Sequence, residues 1–330
     1  MKTNVLLVTV TDVETNAVID VFSPNKDFLR EYHEDKTYFK LGEHGGINLF
    51  LVQSEMGSDS PGASLQTVSN AIVYCKPMAV IMVGIAFGIN PEKRNLGDIL
   101  VSRQISAYDL QKIPETGEPI NRGDRVKAST KLLDRFRSGR IDWDGAEVHF
   151  GVILCGSKLI ANKLFRDRLL VNEPEAIGGE MEGVGLYSAA IVKKVDWIIV
   201  KAISDWADGN KDDTAQNAAA LNATKFVYHI IRQGGLAPKI RNVKPRVKKN
   251  NLKKEAELIL KGDFSDTDKD TLRKMIAGYL HIAERDCEVM TVAKGSIKVR
   301  IKIDEKAARE LASKGINKDK TYLSKLIAFN

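Results

Sequence analysis

AVIMVGIA, residues 79–86, is an eight-residue run without one polar side chain. A strand or helix with one wet face would break such a run with polar positions, whereas a strand covered on both faces would not. Strands covered on both faces belong chiefly to parallel sheets, because the crossover connections lay helices over either side. The run therefore predicts a central strand of an α/β domain, and the flanking sequence agrees. NVLLVTV (4–10) precedes the helical pattern DVETNAVIDVF, and NLFLVQS (48–54) precedes a small-residue segment ending in LQTVSNAIVYC. DILVSRQIS (98–106), VHFGVILCG (148–156) and DWIIVKAIS (196–204) repeat the strand pattern. KLIANKLFRDRLL (158–170) and QNAAALNATKFVYHIIRQGG (216–235) carry apolar residues at helical spacing, the second stopping on Gly234–Gly235. Residues 1–236 are thus expected to form an α/β domain with a central mixed, largely parallel sheet flanked by helices.

At 330 residues the chain exceeds one typical core, so a second domain is expected. No apolar run approaches the ~20 residues of a membrane span. The N-terminal MKTNVLLVTVTD meets Asp12 too soon for a signal peptide and reads as a first strand. Three widely separated cysteines, Cys75, Cys155 and Cys287, form neither a disulfide framework nor a zinc spacing. A cytoplasmic protein without metal or cofactor is expected. The net charge of +7 resides in one place: KIRNVKPRVKKNNLKK (239–254) holds eight Lys or Arg and no acid, and removing it leaves the rest near −1. With Pro238 and Pro245, and without helical periodicity, this stretch marks a basic linker over 237–251. A nucleic-acid partner would rest on that linker alone and is not expected.

After the linker the pattern changes. EAELILKGDF reads as a strand, DTDKDTLRKMIAGYLHI as a helix, CEVMTVAKGS and IKVRIKID as a hairpin through Gly295–Ser296, and EKAARELASKG as a second helix. This β-α-β-β-α order predicts a small α+β domain over 252–330, ferredoxin-like in topology. Its single histidine, His281, and its lack of clustered acids point to an interaction or sensing module.

Open α/β sheets bind ligands beyond the carboxyl ends of their strands. Three acids sit at such addresses. Glu14 lies just past the first strand, where an ordinary first-turn helix acid is the plain alternative. Asp205 ends DWIIVKAISD beside Ser204 and Trp206, where either Ser204 or Asp205 serves as a cap or Asp205 serves as a proton donor. Glu182 follows the strand-like AIGGEM and opens GVGLYSAAIV. Gly84 and Gly88 in MVGIAFGI (82–89) lack the GxGxxG spacing of a dinucleotide site but let a ligand approach the backbone. Several acids around one pocket suit chemistry with a cationic transition state and a leaving group that must be protonated, as in glycosidic cleavage. Glu180 and Glu182 would share a face in a strand but not in a helix; at a strand-to-helix junction Glu182 is assigned to the ligand and Glu180 to the junction.

MVGIAFG, GDILVS (97–102), GGEMEGVG (178–185) and VKAISDWAD (200–208) resemble, in order and spacing, the nucleoside phosphorylase and nucleosidase superfamily. The likeness is to methylthioadenosine/S-adenosylhomocysteine nucleosidases and related effector domains of bacterial anti-phage defence proteins, over about residues 1–235. It implies that Asp205 protonates the purine, that Glu182 grips the ribose hydroxyls with Met181 packed on the sugar, and that Glu14 activates water. It also implies a substrate cavity reached by Gly84, Ile85, Ala86, Phe87, Lys158, Leu159, Lys201 and Ser204, and a homo-oligomer. Where phosphorylases of the superfamily carry Arg and Ser for phosphate, this chain has Met82 and Ile85, which favours hydrolysis. Lys201 stands where many relatives have Arg, and Leu159 stands about where an aromatic stacks on adenine. Lys158, Lys201 and Lys211 are candidates for contacting substrate phosphates. The C-terminal segment resembles adaptor-like modules of bacterial immune effectors, implying a regulatory partner. The expectation is a purine nucleosidase acting on a nucleoside or nucleotide, ATP included. A phosphorylase of the same fold and a non-catalytic purine sensor are the alternatives.

Overall fold

The apolar run lies in an interior strand of the sheet, β5, and everything around the site is placed by its neighbours. A computed structural model describes residues 4–209, 213–237, 254–261, 268–279, 287–293, 296–303 and 327–328. In chain order the first part contains β1 (Asn4–Thr9), α1 (Asp12–Phe22), β2 (Leu29–His33), β3 (Lys36–His44), β4 (Ile47–Gln53), α2 (Ser64–Cys75), β5 (Ala79–Gly88) and β6 (Ile99–Ala107). It continues with β7 (Gln111–Lys112), β8 (Ile120–Asn121), β9 (Arg125–Lys127), α3 (Thr130–Gly139), β10 (Val148–Cys155), α4 (Lys163–Asn172), β11 (Ala176–Glu180), α5 (Gly183–Lys193), β12 (Asp196–Asp205) and α6 (Asp213–Arg232). Among the described residues no helix is long and apolar enough to cross a membrane.

The main sheet runs β11-β10-β6-β12-β5-β1-β4-β3-β2, with β9 attached to β6. β12, β5, β1 and β4 are mutually parallel. β6, β10 and β11 are parallel to one another, and β6 meets β12 antiparallel. The sheet is therefore mixed, as expected, but its two parallel blocks oppose each other. β11 then returns to pair antiparallel with β5, Gly178 opposite Gly88 and Gly179 opposite Phe87. That closure needs glycine: a Cβ at Gly178 would strike the Phe87 carbonyl, and one at Gly179 the Phe87 ring. β5 is buried along nearly its whole length, and α1, α2, α5 and α6 flank the sheet. Burial of this many aliphatic side chains, at ~25 cal/mol per Å² of apolar surface, is what stabilises the architecture.

One expectation is corrected. The helix anticipated over 158–170 begins only at Lys163, because Asn162 caps it by accepting the Phe165 N–H at 3.0 Å. Residues 158–162 are thereby left as loop. The β2–β3 hairpin at the sheet's free edge was not anticipated, since its exposed strands lack clean alternation.

The chain divides into two compact units, 1–245 and 246–330. In the second, β13 (Lys254–Lys261), β14 (Cys287–Ala293), β15 (Ser296–Ile303) and β16 (Ile327–Ala328) form a four-stranded sheet in the order β14-β15-β13-β16, and α7 (Lys269–Tyr279) lies between β13 and β14 in the chain. Its pairings are all antiparallel. The second helix expected there, the linker from Pro238 to residue 251, and His281 lie outside the described residues.

Candidate active site

β1 ends at Thr9, and Thr11 caps α1 in a reciprocal box with Glu14. Glu14 Oε2 completes that box, accepting the N–H of Val10 at 2.7 Å and of Thr11 at 3.1 Å. Oε1 turns the other way, to the Ile85 N–H at 2.7 Å and the Lys201 Nζ at 3.1 Å. Helix acid and cavity acid are therefore the same residue. Gly84 makes the approach possible, because a Cβ there would fall on the Glu14 carboxylate and crowd Lys201. Lys201 sits opposite Gly84 in the β12–β5 register and is 1% exposed. Burial alone would lower its pKa; Glu14, Glu182 and Glu180, with the hydrogen bond to Glu14, outweigh burial and raise it.

The Glu180–Glu182 pair divides its labour at the start of α5. Glu180 takes the orphan helix amides, accepting the N–H of Glu182 and of Gly183 at 3.0 Å. It also accepts the thiol of Cys155 at 2.8 Å. Glu182 occupies the N-cap position, yet its side chain makes no cap bond. Instead its Oε1 accepts the Gly57 N–H at 2.9 Å, from the β4–α2 loop. Burial pushes the Glu182 pKa up to about 7; Lys201 and the Gly57 N–H oppose the rise, while Glu180 and Glu14 add to it. Ser58 and Ser64 donate to the carbonyls of Met181 and Glu182 at 3.0 and 2.7 Å, tying the Met181 turn to the same loop.

Asp205 closes β12 just after a register shift against β5. Its Oδ2 accepts the Ser204 hydroxyl at 2.9 Å and its Oδ1 accepts the Ala207 N–H at 2.8 Å. Asp205 is half-buried, so it keeps an edge toward the cavity while the turn holds its rotamer.

These elements enclose a cavity of about 190 Å³. The predicted catalytic and substrate-binding residues all line it apart from Gly84, which lies directly behind Glu14, and Lys211, which is not among the described residues. Sequence reasoning missed Val10, Thr11, Met56, Ile160, Gly179 and Gln216, and Glu180, assigned to the junction, lines the cavity as well. Met56 follows β4, so the rule of inspecting residues after strands could have found it. The predicted phosphate contacts fare differently. The Lys201 ammonium is paired with the Glu14 carboxylate at 3.1 Å. Lys158, 54% exposed, pairs with Asp109 at 2.6 Å. Lys211 lies outside the described residues. Among the described residues, one group of side chains is close enough to share a cation, Asp98, Glu147 and His149, and it does not line the cavity.

Fold and site together define an α/β protein with a carboxylate-lined cavity where β1, β5, β11 and β12 end. The sequence pattern of the phosphorylase superfamily matches residues 5–232, and the chain belongs to that superfamily. It is 30% identical over 253 residues to a death domain-containing ATP nucleosidase of Amphimedon queenslandica, covering 68% of this chain and 47% of the relative. It is 24% identical over 261 residues to the ATP nucleosidase Cap17 of Escherichia coli (strain KTE188), covering 70% and 51%. The chain thus spans about half the length of these two relatives. The 5′-methylthioadenosine/S-adenosylhomocysteine nucleosidase of Neisseria meningitidis, solved with methylthio-immucillin-A, shares the fold. Its TM-score is 0.60 at 18% identity, over 70% of this chain and 99% of that one.

Proposed function

We propose that residues 1–236 form a purine nucleosidase that hydrolyses the N-glycosidic bond of a purine nucleoside or nucleotide, with ATP the leading substrate. The observation that carries this reading is the convergence of Glu14, Glu182 and Asp205 on one cavity that Met181 also lines. The relatives named as ATP nucleosidases support the choice of ATP.

In this mechanism Asp205 hydrogen-bonds and protonates the departing purine, with Ser204 and the Ala207 N–H holding its rotamer. Glu182 accepts from the ribose hydroxyls, and its charge stabilises the sugar as positive charge develops there. Met181 packs on the sugar. Glu14, fixed by four donors, takes a proton from the attacking water. Water fits better than phosphate as nucleophile: Met82 and Ile85 offer no anion contact, and both cavity lysines are already paired with carboxylates.

Residues 252–330 act in this reading as a ferredoxin-like interaction module, a topology supported by the β14-β15-β13-β16 order. Through it a regulatory partner controls a cytoplasmic, oligomeric effector that depletes purine nucleotides in anti-phage defence. Incubating the full chain with ATP, AMP, adenosine and methylthioadenosine, with and without phosphate, tests the activity. Free adenine without phosphate is expected. A strict phosphate requirement would move the reading to phosphorolysis, and ligand binding without base release would move it to a sensor.

A further inference from the structure

Neither Cys155 nor Glu180 has a step in the mechanism above, yet both are buried against the residue that does. They end adjacent strands, β10 and β11, and are paired in register. Glu180 is 5% exposed and Cys155 fully buried. The carboxylate collects the thiol at 2.8 Å and the amides of Glu182 and Gly183 at 3.0 Å. Burial, then the charge of Glu180 and the bond to it, raise the thiol pKa well above its ordinary value, so Cys155 stays a donor and not a nucleophile. Gly183 is shaped to this pair: a Cβ there would lie 2.7 Å from each of Cys155 Sγ, Glu180 Oε1 and Ile199 Cδ1.

We propose that Cys155, Glu180 and Gly183 form a positioning unit that sets the backbone and the charge around Glu182, with the Cys155 thiol holding Glu180 against the first turn of α5. The proposal rests on the nucleosidase reading for its kinetic consequences, but not for its geometry. Four elements place groups against the Glu182 carboxylate: Glu180 from β11, Lys201 from β12, Glu14 from α1 and the Gly57 N–H from the β4–α2 loop. Neutralising Glu180 removes one of the two carboxylates that add to the effect of burial, so Glu182 gives up its proton at lower pH while burial still holds it above the ordinary value. Loosening Glu180 without neutralising it leaves the charge but frees the turn.

Three variants of the full chain separate these effects: Glu180→Gln, Cys155→Ala and Cys155→Ser. A readout that needs no catalysis is the infrared S–H stretch of Cys155, assigned by its loss in Cys155→Ala. It is expected at lower frequency than the Cys75 and Cys287 thiols, and expected to move toward them in Glu180→Gln. The kinetic readout is kcat/KM for adenine release against pH. Glu180→Gln is expected to lower kcat/KM about tenfold and to move the acid limb down by roughly one pH unit. Cys155→Ala is expected to fall about fivefold, and Cys155→Ser, which restores a donor, to return within about twofold of wild type. If Glu180→Gln does not fold, rescue of the alanine loss by serine decides. An unmoved S–H band, an unmoved acid limb, or alanine and serine behaving alike would each overturn the unit. If wild type releases base from none of the four substrates, the nucleosidase reading fails while the infrared result still decides the pair.

Discussion

Lys201 Nζ and Glu14 Oε1 meet 3.1 Å apart with both side chains at most 2% exposed, across 187 residues of sequence. A buried pair like this adds little over an apolar pair, but breaking it strands a charge. Lys201→Met is therefore expected to destabilise the protein by about 3–5 kcal/mol. It also removes the cation that orients Glu14, so adenine release falls with it. Denaturant unfolding at neutral pH is the measurement. A Lys201→Met loss below about 1 kcal/mol would show that the pair does not anchor the site.

Gly84 was expected to let a ligand near the backbone, and the structure gives it the Glu14 carboxylate instead. Gly84→Ala is expected to push Glu14 off the Ile85 N–H and to destabilise by about 1–3 kcal/mol through overpacking. Activity falls further than stability, because Glu14 no longer aims at the cavity. The comparison is kcat/KM against unfolding free energy for Gly84→Ala and Gly88→Ala. The nearest atoms to a Cβ at Gly88 belong to the Ile203 and Trp206 side chains and not to Glu14, so equal losses of activity at both would refute the special role of Gly84.

Much of this site was legible because it depends on local pattern. The apolar run NVLLVTV and the helical spacing of DVETNAVIDVF place Glu14 after a strand, and the same logic places Asp205 at the end of β12. What the pattern could not show is direction. β11 runs against β5, so Glu182 follows a strand of the opposite parallel block from the one that ends near Glu14 and Asp205. It reaches the cavity because glycines 178 and 179 let β11 cross Phe87 closely. The Glu14–Lys201 pair was hidden for the same reason, being a long-range contact, and so was the Gly57 N–H that holds Glu182. Residues 158–162 were read as helix on spacing alone, and the Asn162 cap overrode it.

Asp205→Asn tests the proton donor with little disturbance to the turn. The Asn oxygen still accepts the Ala207 N–H, and the Ser204 hydroxyl can rotate to accept from the amide. Stability is expected to change by less than about 1 kcal/mol, while adenine release drops 10²–10⁴-fold, roughly the range for losing a general acid. Thermal unfolding and product chromatography on the same sample separate the two. Full activity in Asp205→Asn would remove Asp205 from the chemistry.

The raised pKa of Glu182 makes stability depend on pH in a definite direction. Its carboxyl titrates near 4.5 when unfolded but near 7 in the fold, chiefly because burial disfavours the anion. Between those values the folded state holds the extra proton, so this group's contribution to stability falls as pH rises and levels off above about 7. Glu182→Gln keeps an acceptor for the Gly57 N–H and removes the buried charge. It is expected to unfold at a higher temperature than wild type at pH 8, by roughly 2–4 °C for each kcal/mol relieved. At pH 4 the two should unfold alike. Activity moves oppositely: wild-type kcat/KM should climb through about pH 7 as Glu182 ionises, and Glu182→Gln should be nearly inactive throughout. Equal pH-dependence of unfolding temperature in both proteins would mean that Glu182 is not the buried proton carrier.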